Sequence, residues 1–95
     1  MKIKVKQMTS PRAGVLMCIH PPVANQFIIY TSEGKYFQSY DSIIVAIEDG
    51  KITLDENTWN YSRTTSKYRN IFLDETTAET RAKIESGEYE LKDLN

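Results

Sequence analysis

A single cysteine, Cys18, rules out an internal disulfide framework and fits a reducing compartment. The single histidine, His20, leaves the chain without a second pair of residues at metal-ligand spacing. The four glycines, Gly14, Gly34, Gly50 and Gly87, stand apart and each sits where a turn or a helix end is expected, so no glycine-rich phosphate loop is present. The longest apolar run, Gly14 to Ile19, falls far short of the roughly 20 residues that a membrane span needs. The opening Met1-Lys2-Ile3-Lys4-Val5-Lys6 alternates charge with aliphatic residues instead of forming the continuous apolar stretch of a signal peptide. A cytoplasmic protein with no membrane segment is the expectation. Charge of one sign is lacking too: 12 Lys and Arg against 13 Asp and Glu give a net charge of −1, hence no global field to draw nucleic acid.

What is present is a composition 40% hydrophobic and 26% charged, inside the globular range, in a 95-residue chain that suffices for one domain and one core. Residues 1–95 are read as that single domain. The charges are unevenly placed. Lys2, Lys4, Lys6 and Arg12 precede any acid. Asp41, Glu48, Asp49, Asp55 and Glu56 face only Lys51 within residues 41–60, and a second acidic stretch fills residues 70–95. Between them Arg63, Lys67 and Arg69 form a basic island. Such runs are ordinarily solvated surface; the sharper reading is a polarised surface that selects a charged partner.

Lys2 to Met8 alternates as a half-buried strand whose lysines guard a sheet edge. Residues 9–14 read as a loop, and Val15 to Ile19 as a second strand stopped by Pro21-Pro22. Phe27–Thr31 and Lys35–Tyr40 flank Ser32-Glu33-Gly34, a hairpin in which Gly34 is expected at positive φ. Ile43–Ile47 and Lys51–Leu54 flank Glu48-Asp49-Gly50, the strongest hairpin signal in the chain. After an irregular segment holding Trp59, Ser62 to Leu73 reads as a helix with hydroxyl caps and Tyr68, Ile71 and Phe72 at core spacing. Thr76 and Glu79 form a capping box for a second helix that stops at Gly87. Residues 88–95 suit a final strand or an extended tail on the sheet. Strands first and helices second predict an α+β fold: an antiparallel sheet of about five strands with two C-terminal helices on one face.

Chemistry has few residues to stand on. Cys18 and His20 would share a strand face and supply two zinc ligands, but completion needs distant acids such as Asp41 or Asp55, or a symmetry mate. Otherwise they are a buried thiol and a surface imidazole before a proline turn. As a nucleophilic pair they lie roughly 6–7 Å apart along a strand, beyond hydrogen-bond reach. The carboxylates sit in turns, caps and helix surfaces and not in an apolar cleft. No enzyme and no cofactor are expected. Tyr61 to Arg69 interleaves hydroxyls, Arg, Lys and Tyr, as phosphate recognition does, yet the same hydroxyls are ordinary N-caps and the flanking acids repel nucleic acid. Six tyrosines and one tryptophan exceed what a small core buries with polar tips satisfied, which favours a protein-binding surface.

From Tyr36 to Asn95 the chain resembles a family of small proteins encoded by phages and plasmids of Gram-positive bacteria, a domain of unknown function. The carrying residues are Phe37-Gln38-Ser39-Tyr40, Gly50-Lys51 with Leu54-Asp55, and Trp59-x-Tyr61-Ser62-x-Thr64-Thr65-x-Lys67-Tyr68-Arg69-x-x-Phe72-Leu73, then Glu79-Thr80, Lys83-Ile84-x-Ser86-Gly87-x-Tyr89-x-Leu91 and Leu94-Asn95. Residues 1–26 carry none of it. The resemblance assigns no catalytic residue. It implies a mobile-element origin and, with it, an anti-defence (anti-CRISPR) role: a non-catalytic inhibitor that binds a host protein such as a CRISPR effector nuclease. The expected contact residues are Trp59, Tyr61, Arg63, Lys67 and Arg69, with Asp41, Asp49, Asp55 and Glu56 as a second, acidic patch. The alternative is a small nucleic-acid-binding regulator that uses residues 63–69.

Overall fold

The computed structural model describes residues 3–9 and 22–95. Strands β1 (Lys4–Thr9), β2 (Pro22–Tyr30), β3 (Gly34–Ser39), β4 (Ser42–Glu48), β5 (Lys51–Asp55) and β6 (Glu90–Lys92) form one sheet. Helices α1 (Arg63–Leu73) and α2 (Thr77–Glu85) fall between β5 and β6. Strand order follows chain order, antiparallel from β1 to β5 and parallel from β5 to β6. The fold is thus α+β, with the tail supplying a sixth strand. The parallel join follows from its connection, because a chain that leaves the end of β5 through two helices can return in the same direction. The strand expected at Val15–Ile19, the loop before it, and the Cys18 and His20 pair lie outside the described residues.

β2 begins five residues before the expected start. Pro22 is its first residue, a position where the missing N–H costs no ladder bond. The turn from β4 to β5 has Asp49 at φ 52° and Gly50 at φ 74°, the paired positive values of a type I′ hairpin. Gly34 corrects the expectation for the first hairpin. Its φ is not positive; a Cβ there would lie 2.0 Å from the carbonyl oxygen of Ile47, so glycine is needed for close backbone approach. The turn itself is closed by Thr31, whose hydroxyl accepts from the amides of Glu33 and Gly34.

One face of the sheet carries the core. Ile28, Phe37, Val45 and Leu54 are cross-strand neighbours in register and belong to one apolar cluster with Tyr68, Phe72, Leu73 and Ile84 of the helices. A bulge between Phe37 and Gln38 inserts Ile44 beside Val45, and both are fully buried. Each fully buried side chain of this size contributes about 1.5–3 kcal/mol. α1 runs back along β3: Thr65 meets Ser39 hydroxyl to hydroxyl at 2.8 Å, and Phe72 stacks on Phe37 at 5.7 Å. Its inward residues are Thr65, Tyr68, Arg69 and Phe72, a spacing of 3, 4 and 7. Ile71, expected at core spacing, falls off that stripe and is exposed. Among the described residues no helix is long and apolar enough to cross a membrane.

Candidate functional site

Helix α1 and the segment leading into it hold all five residues of the predicted aromatic and basic patch. Ser62 caps α1 by accepting from the Thr65 amide. Tyr61, just before the cap, is 50% exposed, and Arg63 and Lys67 follow one turn apart on the outer side. Ile71, four residues further, continues that stripe. Trp59 is half-buried against the core, with the guanidinium groups of Arg69 and Arg81 over its ring at 5.2 and 5.4 Å.

Arg69 leaves the predicted patch. Its side chain is fully buried and its guanidinium donates to the Trp59 carbonyl, to Asn60, to Asn70 Oδ1 at 2.9 Å and to Thr77 Oγ1 at 2.7 Å. Burial lowers its pKa, with the nearby Glu75 opposing that shift. The residue is a brace that ties the Trp59 segment to the later part of α1 and the start of α2. Sequence spacing could not separate it from Arg63 and Lys67, because a buried arginine reads as a surface one.

Asp55 leaves the acidic patch in the same way. It is 1% exposed, its carboxylate accepts from the Thr58 hydroxyl at 2.6 Å and from the Leu94 amide at 2.8 Å, and its carbonyl accepts from the Trp59 amide at 3.0 Å. Burial alone would raise this carboxyl; the hydrogen bonds of Thr58, Leu94 and Asn95 outweigh it and hold the pKa below the ordinary aspartate value. The remaining acids do not form one patch either. Asp41 follows β3 and Asp49 follows β4, at opposite ends of a seven-residue strand; the span is about 20 Å. Asp41 and Glu56 are exposed toward the end of the sheet where α1 begins, and Asp49 is exposed at the other end.

Sequence reasoning missed Tyr40 and Glu75. Tyr40 is 47% exposed at φ 57°, a left-handed conformation unfavourable for a bulky residue. It is held there by its amide bond to the Asn25 carbonyl at 2.6 Å and by Gln38, which donates to its carbonyl at 2.7 Å. Glu75 sits in the link between the helices and accepts from Thr80 Oγ1 and Lys83 Nζ, both at 2.7 Å, and from the Tyr89 hydroxyl at 3.0 Å. Burial favours its neutral form, but Lys83, Thr80 and Tyr89 prevail and lower its pKa, so the carboxylate acts as a fixed acceptor. An open hollow of about 470 Å³ lies beside it, lined by Asn70, Ile71, Asp74, Glu75, Thr76 and Glu79. Glu79 is engaged in the capping box with Thr76. Among the described residues no three His, Cys, Asp or Glu side chains gather as a metal site.

Residues 3–88 match a family of unknown function (DUF8033). No curated protein and no solved structure matches the chain.

Proposed function

We propose that this chain, which belongs to the DUF8033 family, is a non-catalytic binding protein that engages another protein through the outer side of α1 and the turn before it. The observation that carries the reading is the exposed row Tyr61, Arg63, Lys67 and Ile71 on a helix fixed from beneath by Arg69, Thr65 and Tyr68. An aromatic, two cations and an aliphatic on a rigid support suit a hot spot, because little side-chain and backbone freedom is lost on binding. Tyr40 and Asp41, in the turn after the strand that meets the start of α1, extend the surface with a second tyrosine and an acid.

The mobile-element resemblance extends the proposal to the partner: a host defence complex that processes nucleic acid, such as a CRISPR effector nuclease, inhibited by contact. Direct nucleic-acid binding is the weaker reading. With Arg69 buried, the island offers two cations, and two phosphate contacts give a salt slope of only about −2. The test is retention from a nuclease-treated lysate of a CRISPR-bearing bacterium, followed by cleavage assays on the retained effector. Retention with loss of cleavage, both weakened by the double change Arg63→Ala and Lys67→Ala, is the expected result. Retention abolished by nuclease treatment would instead assign the surface to nucleic acid.

A further inference from the structure

The sheet has a second face, outside the apolar cluster under the helices, on which Ala46 is buried. Register places Val5, Ile29, Tyr36, Ala46 and Thr53 in one row across five strands, with Phe27 beside it on β2. None of these residues belongs to the apolar cluster under the helices or packs against it, whereas the residues next to them along the strands, Ile28, Phe37, Val45 and Leu54, do. At the β1 end Ile3 and Val5 are 63% and 57% exposed. Among the described residues no helix or strand lies over this face. The shortest dimension of the molecule is 22 Å, the depth of one sheet and one helix layer.

We propose that this face is a homodimer interface, covered by a second copy of the chain packed sheet on sheet. The distribution of charge selects that occupant. The β1–β3 half is uncharged, with Gln7 and Gln38 flanking Phe27 among its apolar residues, while the β5–β6 half carries Lys51, Glu90 and Lys92, paired at 3.6 and 3.1 Å around Glu90. A two-fold axis lying in the interface and running across the strands sets each strand over its own counterpart. Uncharged half then meets uncharged half, and a row of both signs meets the same row reversed. A uniformly acidic or basic partner would meet like charge in that row. The area agrees: six strands about 4.8 Å apart and about five residues long give a footprint of about 450 Å² per copy. The total of about 900 Å² lies at the weak end of specific interfaces, so the dimer forms as concentration rises.

Sedimentation equilibrium of the full chain, from low to high micromolar, tests this without any other partner, so its outcome is independent of the binding role of α1. The expected result is a monomer–dimer equilibrium. Val5→Glu, on an exposed side chain, should raise the dissociation constant at least about tenfold with an unchanged circular dichroism spectrum and, at concentrations where both chains are monomeric, an unchanged thermal midpoint. Ile3→Glu should act in the same direction, and Arg63→Ala should leave the equilibrium unchanged. A chain that stays monomeric throughout, or a dimer that neither Val5→Glu nor Ile3→Glu weakens, would overturn the proposal. So would a monomeric chain that uses Val5 to hold a different protein.

Discussion

At Gly34 and Gly50 the same substitution meets two different obstacles. A methyl group on Gly34 would lie 2.0 Å from a backbone oxygen, and backbone cannot swing aside as a side-chain tip can. A methyl group on Gly50 meets open space and only the strain of φ 74°. Gly50→Ala should therefore cost about 1 kcal/mol and Gly34→Ala about 3 kcal/mol or more, as read by urea denaturation. Both glycines were legible as turn residues, but the reason for Gly34 was not: the carbonyl it approaches belongs to Ile47, and nothing local in the chain announces that contact. Arg69 and Asp55 show the same limit. Each stands in a charged stretch that reads as surface, and each is buried because distant groups, Thr77 and Leu94 among them, complete its hydrogen bonds. Arg69→Lys keeps the charge but loses the fork that reaches Trp59, Asn60, Asn70 and Thr77 together; a loss of about 2–3 kcal/mol in chemical denaturation is expected.

Of the two helices, α2 depends less on apolar packing. Its buried residue is Thr80, with Ile84 half-buried against the core, and its anchorage is the capping box together with the Glu75 carboxylate. Thr76→Ala should cost about 1 kcal/mol, measured as a lower thermal midpoint. The acid limb of stability rests on the Glu75 carboxylate and on Asp55 at the end of β5. Glu75 and Asp55 both titrate lower in the folded chain than in the unfolded one. Their contribution is therefore present above the ordinary carboxylate range and is lost as pH falls through the lower, folded values. Thermal midpoints should decline below about pH 4.5, and Glu75→Gln should be less stable at neutral pH with a shallower acid decline. The capping box and the Gly87 stop, at φ 86°, were readable because local chemistry alone specifies them. The inward stripe of α1 was read only in part. Thr65 and Arg69 occupy core positions that an apolar pattern does not reveal, and Ile71 holds an outer position that it does.

For the molecule as a whole, patterning carried the order of layers: alternating strands, Asp-Gly and hydroxyl-rich turns, then capped helices. The parallel pairing of β6 was not legible, since Glu90–Lys92 is too short to show a period and its register depends on where two helices deliver it. The binding surface divides similarly. Tyr61, Arg63 and Lys67 are together on one side, while the acids separate to the two ends of β4. If α1 is the contact, Arg63→Ala and Lys67→Ala should each weaken partner retention, chiefly through faster dissociation and with little change in thermal midpoint, whereas Asp49→Ala should not; biosensor kinetics with the captured partner separate these. The link between β5 and β6 also bears on how the chain reaches this form. The pairings from β2 to β5 close over short turns, so little chain entropy opposes them and they are candidates for early formation. β6 pairs with β5 only after both helices have been traversed, and with it Asp55 acquires the Leu94 amide and Glu75 the Tyr89 hydroxyl. These contacts belong late on the folding coordinate. Changes there, Tyr89→Phe for example, should accelerate unfolding in stopped-flow experiments while leaving the refolding rate nearly untouched, so that this closing strand governs how long a folded molecule lasts more than how fast one is made.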